Sequence, residues 1–307
     1  MDPLAEIISS MNIKRAIFDK IEVSAPWGFL STCSPDVKFA LVLSGSGVMS
    51  IQSNKNLVSL SGGDVFIILD DSEFSISDKA DSKMIKCADF KKYKVGNTIQ
   101  FGGGGRLTTL VSGRFEISQL DAKPILNVLP KLLHLKLNKN RTRSFQSVLE
   151  LLALETEQPG LASESMINRL CEMLFIHAIR VYANESLQGN TGWLVGLTDK
   201  QLGVTIRLIH DHLEKDWTVE SMAASAGMSR SAFASKFRTI VGQSPLEYLT
   251  QWRMHKASTL IRQNDASLSE ISHSVGYESA SAFTKVFKRE IGLTPSELRK
   301  KQSTKWH

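Results

Sequence analysis

The 307-residue sequence predicts an α+β protein of several domains, with a β-barrel or sandwich first, a helical connector next and an all-α domain last. Short apolar runs broken by Gly, Asp and Ser fill residues 21–110. Apolar residues with a helical period follow from about residue 123, and an internal repeat occupies the segment after Trp193. The expected domain ranges are 1–120, 121–190 and 193–307.

Composition narrows the class of protein. With 42% hydrophobic and 22% charged residues, the chain is neither disordered nor a disulfide-stapled miniprotein. The apolar runs are too short to span a membrane, and Asp2, Glu6 and Lys14 interrupt the N-terminus where a signal peptide needs an apolar core. Three scattered cysteines do not make a zinc site. We therefore expect a cytoplasmic protein without a membrane partner.

The N-terminal part is predicted to contain β-strands. The runs at residues 39–43 and 65–69 each hold five apolar residues and end at Ser, Gly or Asp residues typical of turns. Three amphipathic helices are then expected in the connector, from Pro124 to about Leu133, from Ser144 to Glu157 and from Ser163 to Tyr182. The polar segment 184–192 predicts a linker.

Two copies of one pattern make up the C-terminal segment. The residues that recur at an offset of 50 positions are Ser231-Ala232-Phe233, Phe237, Gly242, Ser244-Pro245 and Glu247, matched by Ser281-Ala282-Phe283, Phe287, Gly292, Thr294-Pro295 and Glu297. Upstream, Gly227 and Gly276 match at an offset of 49. The second copy therefore has one more residue in its turn.

Each copy predicts a helix, a tight turn and a second helix. Gly227 supplies the backbone freedom that ends the first helix, and Ser229 caps the next one. The buried stripes are Phe233, Phe237 and Val241 in copy one and Phe283, Phe287 and Ile291 in copy two. Two helices joined by a short Gly turn form a helix-turn-helix, whose second helix enters the DNA major groove.

Two further patterns support DNA as the partner. An ordinary pair of amphipathic hairpins would repeat the phenylalanines, but not the matching polar face and the Gly-x-Ser/Thr-Pro tail. Residues 193–307 carry a net charge of +5, whereas residues 1–192 carry +1. A long helix from Pro245 to about Arg262 would fix the separation of the two units, and successive major-groove faces lie about 34 Å apart.

The C-terminal third resembles the DNA-binding domain of the AraC/XylS family of bacterial transcription regulators. The matching stretches are residues 217–223, 227–231, 252–254, 275–279, 283–289 and 292–295. The resemblance implies base contacts by Ser231, Ala234 and Ser235 in one groove and by Ala280, Ser281, Thr284 and Lys285 in the next. The candidate phosphate contacts are Arg230, Lys236, Arg238, Lys288 and Arg289. Ser272 occupies a position where the family usually has Ala.

The N-terminal part resembles the cupin-like sensor domain found in one branch of that family, through residues 25–28, 39–45 and 62–66. Cupin metal sites are built mainly on histidine, and the first histidine of this chain is His134. We therefore expect no metal, no cofactor and no enzymatic activity, and a small-molecule sensor or a structural barrel remains.

These observations predict a sequence-specific regulator whose binding to double-stranded DNA is modulated by a small effector in the cupin-like domain. Its other expected partners are RNA polymerase and a second copy of the chain, as a homodimer. One alternative is a redox sensor that uses Cys87, beside Lys83 and Lys86, with Cys33 as its partner. The others are a cupin enzyme fused to a DNA-targeting domain and a nucleoid binder without an effector.

Overall fold

The structure, a computed structural model, divides the chain into two compact units. The β unit contains Asn12–Gln119 and Leu129–Tyr182, and the helical unit contains Met1–Met11, Leu120–Val128 and Ala183–His307. The description excludes residues 1–2, 12, 32–36, 52–53, 97, 137–143, 146, 149, 153, 156–157, 159, 186–190, 264–265 and 304–307. The predicted connector, 121–190, is shared between the two units.

The β unit is built from short strands, as the broken apolar runs predict. The strands are β1 (Lys14–Ser24), β2 (Gly28–Ser31), β3 (Val37–Ser44), β4 (Ser46–Ile51), β5 (Asn54–Ser61), β6 (Asp64–Ile68), β7 (Phe74–Ser77), β8 (Ile85–Lys86), β9 (Lys94–Val95), β10 (Thr98–Gly102), β11 (Leu107–Glu116) and β12 (Leu132–Lys136). A 3₁₀ helix, Cys87–Tyr93, joins β8 to β9.

Among the described residues these strands form two open sheets that make a sandwich instead of one closed barrel. One sheet has the order β12-β6-β3-β11-β1-β10-β9 and the other β5-β4-β7-β2-β8. Consecutive strands β3 and β4 lie in different sheets, and Gly45 turns the chain between them with φ +90°. A Cβ at Gly45 would lie 2.7 Å from the Cα of Thr108, so this corner requires glycine.

The apolar core lies between the two sheets. Side chains alternate between the faces of a strand, and this places Ile21 and Val23 of β1 beside Ala40 and Val42 of β3 in the core. The other sheet contributes Phe29, Met49, Phe74 and Ile76.

The helix predicted from Pro124 to Leu133 is wrong in both bounds, because the observed helix begins five residues earlier and ends at Leu126, with Pro124 inside it. Helix α2 covers Gln119–Leu126, and Leu133 lies in β12, opposite Ile67 of β6. The leucine spacing fits either element, and pairing with a distant strand decides between them. The third predicted helix is confirmed as α3 (Ser163–Glu185), and the described positions between 144 and 155 are helical, as predicted.

The helical unit contains two short helices from the first half of the chain and all the described helices after residue 192. Its helices are α1 (Pro3–Met11), α2, α4 (Trp193–Thr198), α5 (Leu202–Asp211), α6 (Val219–Ser225), α7 (Arg230–Val241), α8 (Pro245–Gln263), α9 (Leu268–Ser274), α10 (Ala280–Ile291) and α11 (Pro295–Ser303). The sequence patterns did not predict α1. Its buried residues Ile7, Ile8 and Met11 explain why it is held in a packed unit.

Candidate nucleic-acid interface

The repeat in the sequence is a repeat in the structure. Helices α6 and α9 each have 7 residues, and α7 and α10 each have 12. The turns between them cover residues 226–229 and 275–279, so the second turn is one residue longer, as predicted. Both copies are therefore helix-turn-helix units.

The ends of both second helices are set by the same chemistry. Ser229 caps α7 by accepting a hydrogen bond from the backbone N–H of Ala232, and Ser279 does the same for α10. At the other end Gly242 and Gly292 adopt left-handed conformations, with φ of 87° and 84°. Because only glycine takes this conformation without strain, both helices stop at equivalent positions.

Buried phenylalanines fix which face of each second helix points outward. Phe233 and Phe237 of α7 are fully buried, as are Phe283 and Phe287 of α10. Phe237 packs against Tyr248 of α8 with the ring centroids 5.5 Å apart. Since the rings anchor one side of each helix, the opposite side is presented to solvent.

The outward faces have the same exposure pattern in the two copies. On α7, Ser231, Ser235 and Arg238 are exposed and Ala234 is half-buried. On α10, Ser281, Lys285 and Lys288 are exposed and Thr284 is half-buried. Ala280, at the start of α10, is half-buried. The hydroxyl of Thr284 donates to the carbonyl of Ala280 over 2.7 Å, and its oxygen keeps the capacity to accept. Small polar side chains at these positions allow close approach to base edges.

The cations on the outward faces of α7 and α10 differ in whether they form ion pairs. Lys285 and Lys288 form no ion pair within the described part of the chain. The guanidinium of Arg230 lies 2.8 Å from the carboxylate of Glu220, and that of Arg289 lies 2.7 Å from Glu290. Both arginines are about two-thirds exposed, and surface pairs of this kind are weak, so phosphate can compete for them.

Lys236 differs from the other predicted phosphate contacts. Its ammonium donates to Asp199 over 2.9 Å and to Gln201 over 3.0 Å, and its side chain is 29% exposed. The same Asp199 oxygen accepts from the backbone N–H of Leu202 at the start of α5. Lys236 therefore ties α7 to the α4–α5 junction, a partner that the repeat could not reveal because position 286 is valine.

Helix α8 joins the two helix-turn-helix units through packing at both ends. Tyr248 and Trp252 belong to its first half, where the side chain of Tyr248 lies 2.8 Å from the ring of His210. Met254 and Ile261 of the second half pack in one core with Phe283 and Phe287. At 19 residues, α8 is about 28 Å long. A continuous helix embedded in both cores holds the two units at a fixed separation.

Arg253, in the middle of α8, is a positioning residue that the sequence patterns missed. Its guanidinium donates to the carbonyls of Leu213 and Lys215 over 2.8 and 2.7 Å. It also lies over the ring of Tyr277, in the turn of the second unit, at 5.7 Å from the ring centroid. Arg253 lies four residues from both Leu249 and Ala257, so it is a cation on the apolar face of the predicted helix. That unusual position was a signal in the sequence that could have identified Arg253 as a positioning residue.

The surroundings of Cys87 favour the neutral thiol. Burial raises the pKa of Cys87 to about 12, and the negative charge of Asp19 adds to this effect. Contrary to the expectation from Lys83 and Lys86, the thiolate is disfavoured, which lowers the reactivity of the sulfur. Cys87 begins the 3₁₀ helix and is half-buried, while Cys33 lies outside the described residues.

A cleft opens between the two sheets of the β unit, and we call it the inter-sheet cleft. Its volume is about 470 Å³. The residues that define it are Ile17, Asp19, Ile21, Phe29, Ser31, Lys38, Phe74, Cys87, Ala88, Phe90, Lys91, Lys94, Ile99, Ser112, Gly113 and Arg114. In the described residues no group of three or more His, Cys, Asp or Glu side chains could hold a metal ion, here or elsewhere. None of the described helices has the length and apolar character needed to span a bilayer.

Comparison with known proteins agrees with this geometry. A family model described as Cupin matches residues 2–184, and one described as Helix-turn-helix domain matches residues 222–301. A Streptomyces antibioticus protein named as an AraC-like transcription regulator is 28% identical over 98% of this chain and 99% of its own length. The HTH-type transcriptional regulator AlkR of Acinetobacter baylyi is 29% identical over 97% of this chain and 99% of its own length.

A third relative is similar over a shorter range. The RCS-specific HTH-type transcriptional activator RclR of Escherichia coli is 32% identical over 63% of this chain and 68% of its own length. Two helix-turn-helix units joined by one helix follow a cupin domain, and regulators match this chain over nearly its whole length. The chain therefore belongs to the AraC family of DNA-binding transcription regulators, with a cupin domain at its N-terminus.

Proposed function

We propose that the chain recognises a specific DNA sequence with α7 and α10 in two successive major grooves, and that a small effector bound in the cupin domain modulates this recognition. The outward faces of the two second helices carry the proposal, because they share one pattern of exposure. Chance packing does not repeat a polar face together with the helix caps beside it. Ser231, Ser235 and Ala234 would meet bases in one groove. Ala280, Ser281, Thr284 and Lys285 would meet them in the other.

The phosphate contacts are assigned to exposed cations. Arg238 and Lys288 occupy equivalent positions of the repeat, and Arg230 and Arg289 lie at the two ends of the outward faces. Lys236 is left out because it holds Asp199. Helix α10 has more cations on its face than α7, so the second unit would supply more of the salt-dependent affinity.

The remaining roles concern the whole regulator. We propose that the segment 121–190 both links the cupin domain to the DNA-binding domain and contributes to a homodimer. The protein would act in the cytoplasm, where its DNA partner lies, with RNA polymerase as a further partner and without enzymatic activity of its own.

A DNA-binding series separates the proposed roles. The operator is first selected from random duplexes with the full chain, and binding to operator and to random DNA is then measured by fluorescence anisotropy at several salt concentrations. Lys288→Ala should weaken binding to both duplexes and reduce the slope of log K against log salt by about 1. Lys285→Ala and Ser231→Ala should change the preference at particular base pairs, by about 1–3 kcal/mol.

The control is Lys86→Gln, which removes an exposed cation from the β unit and should leave both affinities unchanged. Equal losses on operator and random DNA for Lys288→Ala, Lys285→Ala and Ser231→Ala would refute the groove assignment. A wild-type protein that prefers no sequence would refute sequence-specific regulation itself.

A further inference from the structure

A second cavity lies inside the helical unit, and we call it the helical-unit cavity. Its volume is about 420 Å³, within the range of small-molecule sites. Its lining comes from α2, the start of α4, the end of α7 with the turn after it, α8 and the end of α10. All of these segments belong to one compact unit. Neither the proposed base contacts nor the effector proposed for the cupin domain uses this cavity.

The two helix-turn-helix units contribute equivalent residues to the helical-unit cavity. Val241 is the last residue of α7, Ile291 is the last residue of α10, and the two positions match in the repeat at an offset of 50. Both residues line the cavity. A ligand in the cavity would therefore contact the C-terminal ends of both second helices at once.

Two tryptophans give the cavity an aromatic wall. Trp193 and Trp252 are buried, their ring centroids lie 5.3 Å apart, and their planes are nearly perpendicular, at 87°. The indole N–H of Trp193 donates to the carbonyl of Pro124 over 2.9 Å, which holds this ring in place. A planar aromatic ligand can stack on one indole and meet the other edge to face.

Side-chain amides supply hydrogen-bonding groups at the same cavity. Gln243, Gln251 and Asn127 line it, and their amides form no hydrogen bond within the described part of the chain. Gln243 is half-buried, and Gln251 and Asn127 are exposed, so a ligand can reach all three. Each amide presents an N–H donor beside a carbonyl acceptor. A ligand edge with an acceptor beside a donor is complementary to them.

The charges at the cavity do not favour an ion. Lys123 and Glu290 are the lysine and the carboxylate among the described lining residues, and no arginine joins them. Glu290 already pairs with Arg289 over 2.7 Å, and Lys123 is exposed to solvent, which weakens its attraction for an anion. His255, which also lines the cavity, packs edge to face on Trp252 with the ring centroids 5.6 Å apart. A neutral ligand suits this surface best.

We propose that the helical-unit cavity binds a neutral, planar aromatic lactam or amide. The adjacent N–H and C=O groups of the ligand pair with Gln243 and Gln251, and its ring lies against Trp193 and Trp252. An aliphatic hydrocarbon would leave the two amides without partners. An ion would lose hydration without gaining an unpaired buried charge of opposite sign.

The regulatory part of this proposal rests on the proposed function, in which α7 and α10 enter successive grooves. A ligand that contacts Val241 and Ile291 adds a second connection between the helices that α8 already joins. It therefore stabilises the arrangement that α8 sets, and a ligand that stabilises the binding-competent arrangement increases affinity for DNA. The lactam would act as a second effector, at a site separate from the cupin domain.

Four probes with one ring system test the site in the full chain. They are 2-quinolinone, which has the lactam edge, quinoline, which lacks the N–H donor, and two ions, quinoline-2-carboxylate and N-methylquinolinium. Binding is followed by fluorine NMR of protein labelled with 5-fluorotryptophan. 2-Quinolinone should bind about tenfold more tightly than quinoline, which corresponds to about 1.4 kcal/mol, and more tightly than either ion. It should shift the signals of Trp193 and Trp252, but not those of Trp27 and Trp217, which lie outside the cavity.

Glutamine variants connect the preference to the amides. The double variant Gln243→Met with Gln251→Met removes both amides at similar side-chain length and should abolish the preference for 2-quinolinone over quinoline. Gln263→Met changes an exposed glutamine of α8 outside the cavity and should bind like the wild type. Equal affinity for 2-quinolinone and quinoline, tighter binding of either ion, or the same loss in Gln263→Met as in the double variant would overturn the site.

Operator binding in the presence of saturating 2-quinolinone then separates the site from its role. The operator affinity of the wild type should rise about fivefold, and that of the double variant should not change. An unchanged or lowered wild-type affinity overturns the effector role. A chain that binds 2-quinolinone as expected but prefers no DNA sequence contradicts the proposed function and leaves the lactam site standing.

Discussion

Two buried polar residues of the DNA-binding domain, Ser272 and His210, show how the groups packed around a side chain determine its behaviour. Ser272 is fully buried, and its hydroxyl donates to the carbonyl of Ser269 over 2.8 Å, so a serine replaces the usual alanine without leaving a polar group unpaired. His210 is more constrained, because its ring lies between Tyr248 and Trp252, with the centroid of the Trp252 ring at 4.2 Å.

His210 should make folding dependent on pH. Burial, followed by the nearby His255, lowers the pKa of His210 to about 3, whereas its ordinary value is 6.5. The unfolded chain therefore binds more protons between these two values. The stabilisation is complete above about pH 6.5 and is lost as the pH falls toward 3. From about pH 7.5 to about pH 5 this group should lower the free energy of unfolding by about 2 kcal/mol.

Urea denaturation at the two pH values measures this effect. His210→Gln, which stays neutral, should lose about 2 kcal/mol less than the wild type across the interval. His273→Gln changes an exposed histidine of α9 and serves as the matched control, with the wild-type pH dependence. If His210→Gln and the wild type lose equal stability between the two pH values, the buried ring of His210 does not cause the pH dependence.

At the scale of elements, helix ends are the part of the DNA-binding domain that the sequence predicted best. Caps and turn glycines act within a few residues, so the turn at Gly227 and the cap at Ser229 were predicted from the chain, whereas the cap at Ser279 and the left-handed Gly242 and Gly292 were identified only in the structure. Strand β12 was not predictable in this way. Its leucines alternate in burial only because β6 lies beside them.

The two turn glycines should differ in their tolerance of a side chain. Gly227 and Gly276 have positive φ, 64° and 78°, so an alanine costs about 1 kcal/mol at either position. A Cβ at Gly227 has no neighbour within 4 Å, whereas one at Gly276 lies 2.5 Å from a guanidinium nitrogen of Arg253 and 2.7 Å from the carbonyl oxygen of Glu214. Gly276→Ala should therefore cost about 1–3 kcal/mol more than Gly227→Ala.

Thermal denaturation of the full chain compares the two variants directly. The double variant Gly276→Ala with Arg253→Ala removes one of the two obstructing groups, and it should recover part of the additional loss relative to Arg253→Ala alone. Equal destabilisation by the two glycine variants would contradict the role of Arg253 in holding the second turn.

For the whole molecule, the division into units does not follow the order of the chain. Helix α2 lies between two strands of the β unit in sequence but packs in the helical unit. There the indole N–H of Trp193 donates to the carbonyl of Pro124 over 2.9 Å, and Val128 lies within 3.2 Å of a Cβ built at Gly192. The DNA-binding domain is therefore completed by a segment from the first half of the chain.

This arrangement predicts that the cost of a mutation at Trp193 depends on whether α2 is present in the protein. Trp193→Phe removes the hydrogen bond to Pro124 and should cost about 1 kcal/mol in the full chain, and clearly less in a fragment of residues 191–307, which lacks that carbonyl. Trp217→Phe is the matched control, because its indole N–H donates to His212 inside the fragment over 2.8 Å. Urea denaturation should give Trp217→Phe the same cost in both proteins, and an equal cost of Trp193→Phe in both would exclude the α2 contact.

The sequence by itself determined the double helix-turn-helix, the ends of its helices and the outward faces of α7 and α10. Each of these depends on helical periodicity, caps and turn residues, which act over a few positions and are repeated in the chain. Because Phe233 and Phe283 are buried, the rotation of each helix is fixed, and this decides which residues lie on its exposed side. The base-facing positions therefore stay a prediction that rests on local chemistry.

Only the tertiary structure decided the properties that depend on distant partners. It joined the strands into two open sheets, assigned α2 to the helical unit, engaged Lys236 with Asp199 and placed Lys38 opposite Arg114 at a cleft. Register, ion pairing and cavity shape arise between segments far apart in the chain, and their energies depend on which segments meet. No local pattern encodes that choice, because the same leucines or lysines fit several partners until the fold brings one of them into contact.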